Sequence, residues 1–221
     1  MPKLYTSFNR WFLIPFFIWM VFGGIALALF DRQTLFAIVN THHTSTLDVA
    51  MVWITLMGEG VFGTLILLWL WALPAFRNAW YFSAAFLCNV IPALVVQILK
   101  SMVNEARPLV YFKGAQWIHF LPDWERLSQR SFPSGHTTAA FCLFTFLSFI
   151  LPPKYKIWGL PFFILAMSVG YSRLYLAAHF FHDVYVGSLI GVLFTILVVW
   201  VMRRFEFRFT NTSNSEKQAS L

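Results

Sequence analysis

Charge is what this sequence has least of. Asp, Glu, Lys and Arg make up 11% of its 221 residues, against about 25% in soluble domains, while 59% are hydrophobic, against about 45–50%. With a mean hydropathy of +0.67, that balance excludes a soluble globular domain and reads as an integral membrane protein. Cysteine is nearly absent. Cys88 and Cys142 both fall inside apolar runs, where small buried side chains are expected and a disulfide is not. No carboxylate cluster and no Cys/His ligand set is visible, His42 and His43 being a loop pair without further ligands, so no metal and no other cofactor is expected. Linkers, repeats and shifts in composition are missing too. Residues 1–204 therefore read as one domain, and 205–221 as a cytoplasmic basic and polar tail suited to a membrane interface and not to nucleic acid.

What the chain does have is apolar runs, at 11–30, 60–76, 80–99, 134–151, 157–176 and 184–202, several near the ~20 residues that cross a bilayer. They predict an all-α bundle of six transmembrane helices. An apolar patch at 49–57 is either an interfacial helix or an early start to the second span. Ala26, Leu27 and Ala28 mimic a signal cleavage site, but the first run exceeds a signal-peptide core, so an uncleaved helix is expected. Six spans divide the Lys and Arg residues nine against seven in favour of the side holding both termini. That side is expected to be cytoplasmic.

Alternation of spans then brings the unusual polar residues to the opposite, outer interface. Lys100 ends the third span and Arg107 follows two helical turns on, where Pro108 pushes it away from helical geometry and ends the element. SFPSGHTTAAF opens the fourth span with Ser134, Gly135 and His136, Arg173 ends the fifth, and His179 and Asp183 open the sixth. Each alone has an ordinary reading as a snorkelling cation, an N-cap or an interfacial ring. Together, three cations and the N–H groups of Ser134, Gly135 and His136 at a helix start make a site for a multiply charged anion such as phosphate. His179 and Asp183, spaced i, i+4, fit a carboxylate-held nucleophile or base, and His136 fits an acid that later activates water. His182 reads as an interfacial or supporting ring, and Gly187 and Gly191 as contact points within the bundle.

At these residues the chain resembles a known family. KSMVNEARP, PSGH and SRLYLAAHFFHD match the three signatures of the type 2 phosphatidic acid phosphatases, which resemble vanadium haloperoxidases and glucose-6-phosphatase in their site. The resemblance implies a phosphohistidine on His179, oriented by Asp183, with His136 as acid then base. It further implies that Lys100, Arg107, Ser134, Gly135 and Arg173 hold the phosphoryl oxygens, with no metal required.

A site at the outer interface suits an amphiphile whose phosphate stays with the headgroups, so the expected partners are a membrane lipid phosphate and the bilayer. Undecaprenyl diphosphate, phosphatidylglycerol phosphate, phosphatidic acid and lipid A phosphate all fit, and a bacterial cytoplasmic membrane is the expected setting. Trp117 and Trp124, in the loop before the fourth span, mark a possible lipid-access segment or an aromatic belt. The rival readings are a lipid-binding or lipid-moving protein without turnover, and a vanadate-dependent haloperoxidase.

Overall fold

Asn9 starts the first long helix: its side-chain oxygen accepts the Trp11 N–H at 3.0 Å, and α1 runs over Arg10–Leu29. Asp31 and Thr44 cap the next two helices, α2 (Arg32–Asn40) and α3 (Ser45–Leu56), in the same way. In the computed structural model, which describes residues 7–122, 124 and 128–205, the remaining helices are α4 (Gly60–Ala72), α5 (Ala79–Val103), α6 (Pro108–Tyr111), α7 (Gly135–Ile150), α8 (Gly159–Tyr175) and α9 (Phe181–Arg204). A 3₁₀ turn, Pro153–Trp158, leads into α8. Among the described residues every regular element is helical. Apart from Phe205, the expected C-terminal tail lies outside the described residues, as does Arg126 of the access loop.

Four segments are long and apolar enough to cross a bilayer: Arg10–Leu29, Ala79–Tyr111, Pro153–Tyr175 and Phe181–Arg204. A fifth arises if α3 and α4 form one span bent by 57°. The second expected run, 60–76, begins with α4, and the patch at 49–57 lies in the separate α3 before the bend. Gly58 lies at the break, where a Cβ would meet the His136 carbonyl at 2.8 Å and Val169 at 2.7 Å. Only a bare backbone lets the chain turn that close to α7.

The run at 134–151 forms α7, which has 16 residues and so about 24 Å of length, less than the ~30 Å of a hydrocarbon core. Its surroundings explain the brevity. It is buried almost all round, packing on α5, α8 and α9, as an evenly apolar helix must be. Phe12 and Phe16 of α1 close over Phe141 and Phe144, while Trp80 and Ala84 of α5 join Phe146, Phe149 and Val199 in a second cluster. Gly187 and Gly191 bring α9 onto α7, where added Cβ atoms would meet the Ser134 and Thr138 carbonyls at 2.8 Å. At the far end of α7, Lys156 Nζ donates to the Phe149 carbonyl at 2.9 Å, and Asn9 Nδ2 to that of Ser148 at 3.1 Å. These bonds occupy carbonyls that the helix end leaves without partners.

Candidate active site

The chain between α8 and α9 makes one half of the site. Ala177 takes the left-handed conformation at φ 52°, which folds the backbone back so that the Ala178 and His179 N–H groups both donate to the Arg173 carbonyl, at 3.0 and 3.1 Å. Phe180 is extended and caps α9. Asp183 returns to accept the Phe180 N–H at 2.9 Å, and the same oxygen, Oδ2, accepts the Ser131 hydroxyl at 2.5 Å and faces His179 Nδ1 at 3.2 Å. His179 therefore precedes the helix instead of sharing a helical face with Asp183. The two meet across the N-cap, because an N3 carboxylate naturally reaches back there.

Both members of the pair are buried. Burial, reinforced by the charges of Arg107 and Arg173, holds the His179 imidazole below the ordinary histidine range, against the opposing pull of Asp183. A neutral imidazole whose Nδ1–H faces a carboxylate leaves the Nε2 lone pair available.

The start of α7 makes the other half. Ser134 Oγ accepts from Thr137 Oγ1 at 2.8 Å and caps the helix, keeping its own proton to donate. The Ser134 N–H, expected to face the anion, is instead given to the Asp183 carbonyl at 3.1 Å. That bond ties the two halves together. The N–H groups of Gly135 and His136 have no acceptor among the described residues, as helix starts require of an anion site. Lys100 Nζ lies 3.9 Å from where a Gly135 Cβ would stand.

Arg107 does not continue the Lys100 helix. Asn104 ends α5 in the left-handed region at φ 42°, and Arg107, extended before Pro108, is fixed by Nε to the Gln129 carbonyl and Nη1 to that of Ala178, both at 3.1 Å. Arg173 Nη1 donates to Thr55 Oγ1 of α3 at 2.7 Å. His136 sits in the field of Arg173, His179, Lys100 and Arg107 together. All eight residues expected at the site are thus gathered at one end of the bundle.

Trp117 and Trp124 pack inward: Trp117 against Phe36, Phe112 and Phe180, and Trp124 beside Met51, Tyr175 and Leu176. His43 stacks on His119 at 3.9 Å, and His119 Nε2 lies 2.7 Å from Asp48. Ser131 and Thr55 had no sequence signal, since a lone hydroxyl shows its partner only once the chain is folded. Thr55→Val keeps the shape and removes the hydroxyl that steers Arg173. It is expected to weaken binding of inorganic phosphate at the site about tenfold, in line with the loss of one hydrogen bond to a charged group, with the melting temperature little changed.

The model of the PAP2 superfamily matches residues 79–207, more than half of the chain. The chain belongs to the PAP2 superfamily. All eight site residues lie within the matched PAP2 segment, whereas Thr55 lies before it. The lipid A 1-phosphatase of Rhizobium johnstonii is 29% identical over 126 residues, 57% of this chain and 50% of that protein. The undecaprenyl-diphosphatase BcrC of Bacillus subtilis is 29% identical over 150 residues, 68% of this chain and 72% of that one. The match to the Rhizobium protein thus spans half of that relative's length. A crystal structure of a transmembrane PAP2 type phosphatidylglycerolphosphate phosphatase from Bacillus subtilis aligns with a TM-score of 0.65 at 25% identity, covering 88% of this chain and 97% of that one. With its long apolar helices, this PAP2 member is an integral membrane protein.

Proposed function

We propose that this PAP2 chain is a membrane lipid phosphatase that works through a phosphohistidine and needs no metal. His179 Nε2 attacks phosphorus as the bond to the lipid oxygen breaks, and protonated His136 gives that oxygen its proton. The lipid leaves as an alcohol, or as a monophosphate if it arrived as a diphosphate. Neutral His136 then takes a proton from water, the water oxygen attacks phosphorus, the P–N bond breaks with its electrons returning to Nε2, and inorganic phosphate departs. Asp183 holds the Nδ1–H throughout. Lys100, Arg107, Arg173 and the start of α7 meet the phosphoryl charge, where positioning and electrostatics do most of the catalytic work.

The observation that carries this reading is the buried His179–Asp183 couple, 3.2 Å apart, set among three cations at the head of an apolar bundle. α1, the bent α3–α4 pair, α5, α7, α8 and α9 make six crossings, with the termini cytoplasmic and the site facing outward from a bacterial cytoplasmic membrane. The names of the relatives point to different lipids, so the substrate is taken here as a class, lipid phosphates and diphosphates. Phosphate release from undecaprenyl diphosphate, phosphatidylglycerol phosphate, phosphatidic acid and lipid A phosphate, in detergent with EDTA, is the test. Turnover of at least one is expected, and none on any would overturn the reading.

Trp117 and Trp124 form the inner wall of a lipid-access segment in this scheme. Replacing both by alanine is expected to lower activity on a long-chain lipid about tenfold relative to a short-chain analogue, since each removes roughly 1–2 kcal/mol of apolar contact. Equal losses on the two substrates would remove the access role.

A further inference from the structure

The two oxygens of Asp183 have different neighbours. Oδ2 carries Ser131, the Phe180 N–H and His179. Oδ1, equally buried, accepts no hydrogen bond among the described residues, and its close neighbour is His182 Nε2, an ionic contact at 3.0 Å. The same nitrogen is 3.0 Å from Glu105 Oε2, and Glu105 Oε1 is 2.5 Å from Arg32 Nη1. The His182 ring lies between Phe132 and Phe180, near-parallel to both with centroids 5.7 and 5.8 Å away, while the Arg32 guanidinium sits 4.8 Å over Phe180. The Glu105 carbonyl also accepts the Ser131 N–H at 2.9 Å. One residue thus holds both side chains that approach Asp183 from outside the nucleophile. Arg32, at the corner between α1 and α2, stands outside the segment matched to the family.

We propose that Arg32, Glu105 and His182 are positioning residues that fix the rotation of the Asp183 carboxylate, a role that rests on the phosphohistidine reading. The rotation matters because Oδ2 must stay on Nδ1 while the His179 ring gains positive charge on phosphoryl transfer. His182 sets it by keeping its ring charge 3.0 Å from Oδ1, while Glu105, hydrogen-bonded to the same Nε2, and Arg32 hold His182 in place. Two carboxylates facing one N–H with no cation nearby would repel each other, and Arg32 supplies the balancing charge. Positive charge grows on His179 only as the phosphoryl group arrives, so loss of the relay lowers kcat and spares KM.

His182→Phe keeps a ring in the aromatic slot and removes the N–H; His182→Gln returns an N–H near the place of Nε2. The phenylalanine variant is expected to lose kcat about 10–100-fold, the usual effect of removing a group that orients a ligand or base, with KM within about twofold. The glutamine variant is expected to recover most of that loss. Arg32→Gln alone lowers kcat, but lowers it little further in the His182→Phe background, the mark of two residues acting along one path. Wild-type kcat in His182→Phe, a loss confined to KM, or additive losses would each overturn the relay. If His182→Phe yields no folded protein, Arg32→Gln carries the test, and wild-type kcat there overturns it. Turnover retained by His179→Ala would instead remove the phosphohistidine reading, so the two failures are distinct.

Discussion

His179→Ala releases no phosphate from any lipid phosphate above background, with EDTA present and the protein still folded: that is the largest effect expected of a single substitution here. On the phosphohistidine proposal, losing His179 eliminates the covalent route instead of slowing it, and losses on the order of 10⁴-fold or more are usual for a nucleophile. Among the described residues no other imidazole shares the place of His179: the His182 Nε2 is turned to Asp183 and Glu105, and His136 belongs to the start of α7. Because the vacated space is lined by Asp183, Ser131 and Arg173, added imidazole is expected to restore a small part of the rate. Phosphate release, with trapping of labelled phosphate on the protein under alkaline quench, checks both statements. Turnover within tenfold of wild type would refute the mechanism.

Gly187→Ala comes second, with an expected loss of about a hundredfold in kcat. The added methyl would stand 2.8 Å from the Ser134 carbonyl and 3.2 Å from Thr138 Oγ1. The first of these contacts is backbone and cannot swing aside. Ser134 is bonded to Asp183 across the same seam, so relief must part the two halves of the site. Displacement of about 1 Å between reacting groups costs on the order of 10² in rate, and overpacking of this kind about 1–3 kcal/mol in stability. Gly191→Ala is the internal control. Its methyl would meet Phe141 Cβ at 2.7 Å and the Thr138 carbonyl at 2.8 Å, one turn farther from the site. It is expected to lower the melting temperature as much as Gly187→Ala but kcat far less. Equal activity losses would show that the seam acts only through stability.

The sequence made some layers of this molecule legible and left others dark. Composition and apolar runs gave the membrane setting and the four long helices, because hydrophobic length is a one-dimensional property. The alternation of spans placed Lys100, Arg107, Ser134, His136, Arg173, His179 and Asp183 at one end, since only the parity of crossings was needed. The bend at Gly58 was invisible, because it depends on α7 passing so close that a Cβ at Gly58 would meet the His136 carbonyl at 2.8 Å, a contact between residues far apart in the chain. So was the local geometry at His179, since helical spacing does not hold past an N-cap at Phe180. At Arg107 the departure from the helix was legible, because Pro108 makes the residue before it extended. Glu105 carries no signal in the sequence, since its partners come from α2 and α9.

The broken helix has a consequence for the shape of the surrounding lipid. α1 offers 20 residues of apolar length, about 30 Å, whereas α4 offers 13, about 20 Å. The carboxylate of Glu59 stands at the step between α3 and α4. A hydrocarbon layer that matches both flanks must be thinner beside α4 than beside α1. The apolar boundary therefore steps down across the width of one small bundle on the α4 flank, beside the bend where Gly58 packs against His136 at the start of α7.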